Sequence, residues 1–424
     1  MKSYNKYMLV LYNFILLFYA LLYLPYLLLT GRGYTGFSMR TGRFDPEIER
    51  QIKQNTNIWL HGVSVGEVMV IDNFLSRLRQ LYPAYQFVVT VTTKTGYALA
   101  CERLRGKALV VPSPVDFSWV TSRFVKLIAP KLYIAVETEI WPNLFRRLHL
   151  KNIPAVVING RISDASFSRY KWVRLLLRNV LNQIRVWCMQ SKTDADRVID
   201  LGAEASKVVV VGNIKFDEPV KPAQSSVWSW EQGRNWWVAG STHPGEEDMV
   251  LDAYIKLIEH YPQWRLIIAP RHVERTDKIM QLIAGRAMKS VKFSQWDKKA
   301  LARDTVVIVD TIGQLRSLYS VASLVFVGKS LVKGGGQNII EPASYGKAVI
   351  IGPHVQNFRD IVACFKEREA LVQVADPESF EKAVLSLGAD EERRRALGDA
   401  AKEVVAVNQG ATERCLEYLA GFLQ

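Results

Sequence analysis

Residues 58–67 read Ile-Trp-Leu-His-Gly-Val-Ser-Val-Gly-Glu, an apolar strand that runs into a glycine-containing turn and then a helical pattern. Gly62 and Gly66 allow a tight turn, and Ser64 and Glu67 have the spacing of a helix capping box. A strand followed at once by a helix is the repeating unit of a parallel α/β sheet. The stretch therefore predicts such a unit, with the carboxylate of Glu67 where the strand ends.

The same alternation of apolar strand and helix continues in two series along the chain. The predicted strands are 58–60, 87–92, 108–111, 132–136, 155–158, 186–189 and 208–211, then 236–239, 266–269, 291–293, 306–309, 324–327, 349–351 and 371–374. Between the series, the proline-containing segment Asp217–Ser226 is predicted to be a linker. Fully apolar strands are typical of parallel sheets covered on both faces. We therefore expect two Rossmann-like domains facing a cleft, with ligands beyond the carboxyl ends of the strands.

The composition narrows the class of protein. The chain has 424 residues, 49% of them hydrophobic, and a formal charge of +14. This balance favours polyanions or anionic membranes, and no recognisable nucleic-acid-binding motif accompanies the charge. The cysteines have neither paired spacing nor a nearby histidine cluster, which indicates reduced thiols in a reducing compartment; they are Cys101, Cys188, Cys364 and Cys415.

An apolar run at the beginning of the chain predicts membrane attachment. Met8–Leu29 is interrupted only by Asn13 and Pro25, and at ~1.5 Å per residue it can cross ~30 Å of hydrocarbon. A transmembrane anchor is expected, with a cleaved signal peptide and a helix lying partly in one leaflet as alternatives. The basic residues that follow the run favour a cytoplasmic body; they are Arg32, Arg40 and Arg43.

A second basic region lies between residues 146 and 185, where apolar residues and Trp172 are interleaved with the cations. Two interpretations remain open, a solvated helix face and a surface that meets anionic lipid headgroups. The basic residues are Arg146, Arg147, Lys151, Arg161, Arg169, Lys171, Arg174, Arg178 and Arg185, opposed in sequence only by Asp164.

Three local patterns suggest ligand sites but lack the context that those sites need. Gly31–Gly36 matches a dinucleotide fingerprint but follows the apolar run instead of a soluble strand. Gly328-Lys329-Ser330 resembles the end of a phosphate loop, yet the required earlier glycine is Ser323. Asp194-Ala-Asp196 matches the pair of aspartates that binds a metal in some sugar transferases. The pair lies at the beginning of a predicted helix, however, where the helix dipole favours acidic residues.

Candidate functional residues follow the strands of the first half. Glu67 is either a capping residue or the general base that a glycosyl transfer needs. Glu137 and Glu139 follow another strand, as a solvated cap or as ligands for cations or acceptor hydroxyls. Lys215 is either an exposed loop lysine or a group that neutralises charge on a departing phosphate.

In the second half, two polar segments directly follow predicted strands: Ser241–Glu246 and Pro270–His272. The guanidinium of Arg271 can bind a phosphate or carboxylate through two parallel hydrogen bonds. Gly334–Pro342 places three glycines before a helix start, where backbone amides suit phosphate, and Glu341 can accept hydrogen bonds from a ribose diol. A purely structural glycine-rich turn is the alternative.

Taken together, these motifs resemble the 3-deoxy-D-manno-octulosonic acid (Kdo) transferase family of Gram-negative lipopolysaccharide synthesis. The resemblance runs from the first apolar segment to near the carboxyl end, and the order and spacing of the motifs make it specific. The motifs are His61–Glu67, Glu137–Asn143, Asn159–Ser163, Gly212–Asp217, Ser241–Glu246, Pro270–His272, Gly313–Leu315 and Gly334–Pro342.

The resemblance implies a GT-B fold with an anchor in residues 1–34, an acceptor-binding domain in 35–218 and a CMP-sugar-binding domain in 219–424. It implies an inverting transfer of Kdo from CMP-Kdo to a lipid A precursor on the cytoplasmic face of the inner membrane, beside anionic lipid. Neither a cofactor nor a catalytic metal is implied, and nucleic acid is not an expected partner. UDP-sugar transferases of membrane lipids, sugar-nucleotide epimerases and non-enzymatic nucleotide sensors remain alternatives.

By the same resemblance, Glu67 is the base and Glu137 and Lys215 support the transition state. The residues implied for the cytidine nucleotide are Pro270, Arg271, Gly313, Gln314, Leu315, Asn338, Ile339, Ile340 and Glu341. One position departs from the family, which usually has histidine where this chain has Gln337. An amide still donates a hydrogen bond, so the departure bears on nucleotide contacts and not on the fold.

Overall fold

The computed structural model describes residues 10–18, 20–22, 36–217, 235–297 and 301–423. The chain divides into two compact units, one of Met1–Asp217 with Gln409–Gln424 and one of Glu218–Asn408. Each unit contains a seven-stranded sheet, and the strand pairs are parallel throughout. Both series of predicted strands are therefore confirmed.

In the first sheet the strand order is β3-β2-β1-β4-β5-β6-β7. Its strands are β1 Asn57–Gly62, β2 Gln86–Val91, β3 Leu109–Pro112, β4 Leu132–Val136, β5 Ala155–Gly160, β6 Val186–Met189 and β7 Val208–Val210. The helices between and before them are α1 Phe37–Arg40, α2 Pro46–Lys53, α3 Val65–Leu81, α4 Lys94–Arg103, α5 Ser118–Ile128, α6 Pro142–Leu150, α7 Asp164–Trp172, α8 Arg174–Leu181 and α9 Lys192–Asp200. Because β1 pairs with β2 on one side and β4 on the other, the topological switch point lies at β1.

The second sheet has the order β10-β11-β9-β8-β12-β13-β14, with its switch point at β8. Its strands are β8 Asn235–Thr242, β9 Trp264–Pro270, β10 Lys289–Lys292, β11 Thr305–Ile308, β12 Leu324–Val327, β13 Ala348–Ile351 and β14 Val372–Gln373. Its helices are α10 Glu246–His260, α11 Thr276–Ala284, α12 Leu315–Val321, α13 Ile340–Ser344, α14 Arg359–Glu367, α15 Pro377–Ala389 and α16 Glu391–Asn408.

Burial on both faces explains why the strands are apolar along their whole length. Every residue of β1 and of β4 is buried. On one face of the first sheet, Trp59 packs edge-on against Tyr133, with ring centroids 5.0 Å apart. Full burial of each large apolar side chain is worth roughly 1.5–3 kcal/mol, so these central strands hold the functional edge of the sheet rigid.

The predicted division at residues 218 and 219 lies close to the boundary between the units, but the carboxyl end differs from the prediction. Helix α17 (Ala411–Ala420) belongs to the first unit and not to the second. The carboxylate of Asp217 accepts hydrogen bonds from the backbone N–H groups of Gly410 at 2.7 Å and Thr412 at 2.5 Å. Leu416 and Leu419 pack in the core of that unit. Apolar periodicity alone does not tell which sheet a final helix covers.

The predicted anchor overlaps the described residues only at 10–18 and 20–22, which are helical. The rest of Met8–Leu29, most of the fingerprint-like Gly31–Gly36 and the predicted linker after Asp217 lie outside the described residues. In the part of the chain that the structure describes, no helix has both the length and the apolar character to cross a membrane.

Candidate active site

The carboxyl edge of the first sheet brings Glu67, Glu137, Glu139 and Lys215 together. Glu67 lies in the first turn of α3, directly after β1, and Glu137 follows β4, the strand beside β1. Lys215 lies in a 3₁₀ turn, Ile214–Asp217, after the edge strand β7. Parallel strands all end at the same edge, so residues far apart in sequence converge there.

Glu67 is held by the turn that precedes its own helix. One carboxylate oxygen accepts the backbone N–H of Val63 at 2.6 Å, and the other accepts the hydroxyl of Ser64 at 2.9 Å. The predicted capping box is therefore half formed, because the Ser64 side chain bonds to Glu67 and makes no cap to a backbone N–H. Burial, with the nearby charge of Glu137, raises the pKa of Glu67 to about 7. A carboxyl with this pKa can accept a proton near neutral pH.

Glu137 forms an ion pair with Lys215, with 3.2 Å between the carboxylate oxygen and Nζ. Both side chains are about three-quarters buried, each 24% exposed. The pair joins the loop after β4 to the turn after β7. An ammonium ion thus lies beside a group of carboxyls that would otherwise repel one another.

The backbone around this pair adopts conformations that non-glycine residues rarely take. Glu137 and Asn159 have φ values of 58° and 54°. Two contacts hold the segment: Thr138 Oγ1 donates to the Arg161 carbonyl at 2.6 Å and accepts the Arg161 N–H at 3.1 Å. Such residues cost of order 1–3 kcal/mol each and cluster at functional sites.

Asn159 also connects this edge to the turn that carries Lys215. It is fully buried, and its Oδ1 accepts the backbone N–H of Ile214 at 3.0 Å. The side chain of Asn213, on the same turn, donates to Gln190 at 3.0 Å. Gln190 in turn donates to the carbonyl of Asn159 at 2.9 Å. Asn159 belongs to a motif of the family resemblance, but only the structure gives it this contact.

Glu139 is the third carboxyl of the edge. Burial first, and then the charges of Glu67 and Glu137, raise the pKa of Glu139 to about 8. At neutral pH, Glu67 and Glu139 therefore retain protons that isolated glutamates would have lost. The predicted alternative of a solvated cap is wrong for Glu137, which is paired and mostly buried.

Polar residues predicted in the second unit also follow strands that neighbour one another. Pro270 ends β9 and Arg271 follows it, with the Arg271 N–H donating to the Thr242 carbonyl at 3.0 Å. Gly313 (φ 90°) precedes α12, and Gly334–Ile339 precede α13. Strands β11, β9, β8 and β12 are adjacent in the sheet, so these segments share its carboxyl edge.

Arg316 is a residue of this edge that the sequence analysis did not single out. Its Nε donates to the carboxylate of Glu341 at 2.6 Å, which ties the beginning of α12 to the beginning of α13. The only indication of Arg316 in the sequence is its position directly after Leu315, the last residue of a segment predicted to bind the nucleotide. Asn338 caps the same turn, since its Oδ1 accepts the Ile340 N–H at 3.0 Å.

Glu246 organises the turn after β8. It is completely buried, and its carboxylate accepts four backbone N–H groups at 2.7–3.0 Å: His243, Lys329, Ser330 and Leu331. The phosphate-loop-like segment Gly328-Lys329-Ser330 therefore gives its amides to a carboxylate of the protein itself. Its rejection as a nucleotide triphosphate site agrees with this geometry.

Asp194 is likewise structural. It accepts the Ile162 N–H at 2.8 Å, and the Ser191 side chain caps the start of α9 through the Asp194 N–H. Asp196 instead pairs with Lys192 at 2.8 Å on the surface. Among the described residues, no group of three or more His, Cys, Asp or Glu side chains is placed to hold a metal ion.

Comparison with known proteins adds the family to this geometry. Residues 35–218 match the family model described as 3-deoxy-D-manno-octulosonic-acid transferase (kdotransferase), and residues 248–404 match glycosyl transferases group 1. The chain is 33% identical to the 3-deoxy-D-manno-octulosonic acid transferase of Haemophilus influenzae, over 87% of each chain. The chain belongs to the 3-deoxy-D-manno-octulosonic acid (Kdo) transferase family. A Kdo transferase of Bordetella pertussis is 30% identical, over 86% of this chain and 87% of its own.

Membership of this family confirms the resemblance and the enzyme class, since the chain is a glycosyltransferase. Among solved structures, UDP-GlcNAc 2-epimerase from Neisseria meningitidis superposes with a TM-score of 0.59 at 12% identity, over 86% of this chain and all of that one. At such identity the likeness concerns the fold alone. Together with the parallel sheets, it supports the predicted GT-B architecture for this Kdo transferase family member.

Replacing Glu246 with Gln tests whether this carboxylate organises the second unit. An amide has one acceptor oxygen and turns its NH₂ group towards N–H donors, so Glu246→Gln should lower the free energy of unfolding by about 3 kcal/mol. Urea unfolding followed by tryptophan fluorescence measures the effect. Glu259→Gln, at an exposed position of the same helix, is the matched control and should be near neutral. Equal midpoints for the two variants would contradict the assignment.

Proposed function

We propose that this family member transfers Kdo from CMP-Kdo to the glucosamine disaccharide of a lipid A precursor, lipid IVA, in synthesis of the lipopolysaccharide inner core. The observation that carries the proposal is a buried carboxyl, Glu67, whose pKa is near neutral at the switch point of the first sheet. Family membership over both units supports Kdo as the transferred sugar. In this proposal the first unit supplies the acid–base chemistry that the transfer needs.

In this proposal Glu67 is the general base. Its carboxylate takes the proton of the acceptor hydroxyl while the hydroxyl oxygen attacks the anomeric carbon of Kdo. The bond from that carbon to the phosphate oxygen breaks, and CMP leaves with the bonding electrons. Attack from the face opposite to CMP inverts the configuration. The contacts of Val63 and Ser64 hold the carboxylate in place.

Glu137 and Lys215 support the transition state as a pair. Negative charge builds on the departing phosphate as its bond to the anomeric carbon breaks, near the carboxylate that Kdo itself carries, and a fixed ammonium ion compensates this charge at little cost in reorganisation. Glu137 keeps Lys215 in place, and Asn159 holds the turn on which Lys215 lies. Lys215 then acts as a prepositioned charge instead of a mobile surface lysine.

The CMP moiety is assigned to the second unit, on Pro270, Arg271, Gly313 to Leu315 and Asn338 to Glu341. The shared position of these residues at one sheet edge supports the assignment. Glu341 is the proposed ribose ligand, and its ion pair with Arg316 fixes the carboxylate for that contact. Gln337 offers an amide donor where relatives of the family usually have histidine.

Mass spectrometry of the lipid product tests the reaction. Tetraacylated lipid A precursor incubated with detergent-solubilised protein and freshly generated CMP-Kdo should gain one or more Kdo units, and CMP should inhibit the reaction where UDP does not. Inhibition by UDP alone would favour a UDP-sugar transferase. Conversion of a sugar nucleotide without any acceptor would favour an epimerase, and nucleotide binding without turnover would favour a sensor.

The pH dependence of turnover tests the base. A base must be ionised, and the pKa of Glu67 in the free enzyme is about 7, so kcat/KM for the lipid acceptor should rise between pH 6 and pH 8 and fall about tenfold per unit below 7. Protein held at pH 6 and assayed at pH 8 controls for denaturation. A kcat/KM that is flat from pH 6 to pH 8 would show that no carboxyl of raised pKa acts as the base.

We also propose that the first unit binds the cytoplasmic face of the inner membrane. The amino-terminal helical segment is described at residues 10–18 and 20–22. The exposed side chains of these residues are apolar, at 44–66% exposure: Val10, Leu11, Phe14, Ile15, Leu17, Phe18, Leu21 and Leu22. An apolar helix face of this kind suits the boundary between headgroups and acyl chains. We propose this interfacial attachment as the form that the predicted anchor takes in the amino-terminal helical segment.

A second surface, here called the basic patch, supports the same proposal. Helices α7 and α8 present Trp172 at 91% and Leu175 at 75% exposure. Exposed cations surround them: Arg169, Lys171, Arg174 and Arg178. The sequence showed only Asp164 opposing this charge, but in the structure Asp200 lies 3.5 Å from Lys171 and 3.8 Å from Arg174. Arg169 and Arg178 are therefore the better candidates for lipid headgroups.

Replacement of these two arginines tests the patch. Each basic side chain near an anionic bilayer contributes about 1 kcal/mol, so Arg169→Gln with Arg178→Gln should weaken binding to vesicles containing anionic lipid roughly tenfold or more. Co-sedimentation measures the change, and uncharged vesicles should show little difference. Lys192→Gln, an exposed cation of α9, is the control. Unchanged binding of the double variant would show that these arginines form an ordinary solvated face.

A further inference from the structure

Two polar residues hold the amino-terminal helical segment, residues 10–18 and 20–22, against the rest of the first unit. The hydroxyl of Tyr12 donates to the carboxylate of Asp116 at 3.0 Å. The side-chain amides of Asn13 and Asn143 pair reciprocally, at 3.3 Å from Asn13 Nδ2 and 3.1 Å from Asn143 Nδ2. Residues 12, 13, 16 and 20 are half-buried, so one face of this helix is docked while its other face is apolar and exposed.

The partners of these two residues hold the beginning of helix α6. The carboxylate of Asp116 accepts the backbone N–H groups of Asn143 at 3.0 Å and Leu144 at 2.9 Å. Asn143 also donates its amide to the Asp116 carbonyl at 2.5 Å. Asp116 and Asn143 are 4% and 3% exposed, so water cannot replace these bonds when one is lost.

Helix α6 begins directly after the segment that carries the carboxyls of the active site. Only residues 138–141 separate Glu137 from Pro142 at the start of α6. The hydrogen bonds that begin at Tyr12 and Asn13 therefore reach the helix start that directly follows the functional edge of the first sheet.

We propose that the amino-terminal helical segment positions the acceptor site in addition to attaching the protein to lipid. Tyr12 and Asn13 are positioning residues, which act through Asp116 and Asn143 on the Glu137–Trp141 segment. With its outer face in lipid and its inner face docked, the helix fixes the carboxyls relative to the membrane surface, where the sugars of a lipid acceptor emerge. This inference rests on the proposed function.

The outer face of the same helix provides a matched contrast. Phe14 and Phe18 are 64% and 66% exposed and point away from the docked side. Phe14→Ser with Phe18→Ser should weaken vesicle binding while the polar contacts of Tyr12 and Asn13 persist. Tyr12→Phe and Asn13→Ala should do the opposite, because they remove the polar contacts and leave the apolar face intact.

Hydrogen–deuterium exchange gives the first readout. In Tyr12→Phe and Asn13→Ala, the backbone amides of Asn143 and Leu144 should exchange at least fivefold faster, since Asp116 loses a partner or Asn143 loses its amide pair. The serine double variant and Tyr418→Phe, an exposed tyrosine of α17, should match the wild type. Unchanged exchange in both polar variants would overturn the coupling, whatever the enzyme transfers.

Kinetics with micellar acceptor at saturation gives the second readout. Tyr12→Phe and Asn13→Ala should lower kcat per folded molecule at least threefold without changing KM for CMP-Kdo, and the lost hydrogen bonds should lower the unfolding temperature only modestly. A purely structural role would instead lower the unfolding temperature and the active fraction together and leave kcat per folded molecule at the wild-type value. Faster exchange with wild-type kcat would also overturn the positioning role. A wild-type chain that transfers no Kdo would refute the proposed function, while the exchange measurement would still decide the coupling.

Discussion

The candidate functional groups of this protein depend on one constraint, that parallel strands end at a common edge. In the first sheet this constraint brings Glu67 from β1, Glu137 from β4 and Lys215 from β7 to one place, although 148 positions separate residues 67 and 215. Carboxylates gathered in a half-buried place repel one another and need a cation nearby. The ion pair of Glu137 with Lys215 meets that need and leaves Glu67 free to exchange a proton.

The strands of the second sheet also end at a common edge, but a buried carboxylate, and not an ion pair, organises the loops there. This carboxylate is Glu246, which binds four backbone amides and shapes the turns after β8 and β12. Ser241 and Lys329 take left-handed backbone conformations there, as Glu137 and Asn159 do in the first unit. These four positions lie at or near the carboxyl ends of strands, where hydrogen bonds from neighbouring loops maintain the unfavourable backbone.

Much of this was predictable from sequence, because strand position and strand exit are local properties. The apolar runs predicted every strand of the residues that the structure describes, and the positions of Glu67, Glu137 and Lys215 after strands can be read from the sequence. What the sequence lacked were contacts between distant segments: Arg316 with Glu341, Asn159 with Ile214, Asp200 with the basic helices, and Asp217 with α17. No spacing rule relates such partners, since their distance in space depends on the order of the strands in the sheet. For the same reason, the prediction that residues 219–424 form one domain was wrong for α17, which packs on the first unit.

If Glu67 is the base of a Kdo transfer, the Glu67→Gln variant should bind nucleotide but fail to turn over. Glutamine keeps the shape of the side chain and cannot take the proton. CMP binding measured by calorimetry should stay within about twofold of wild type, while Kdo transfer to lipid IVA should fall by roughly two to four orders of magnitude. Near-normal turnover in this variant, with the fold intact, would show that Glu67 is not the base and that another group on the edge takes the proton.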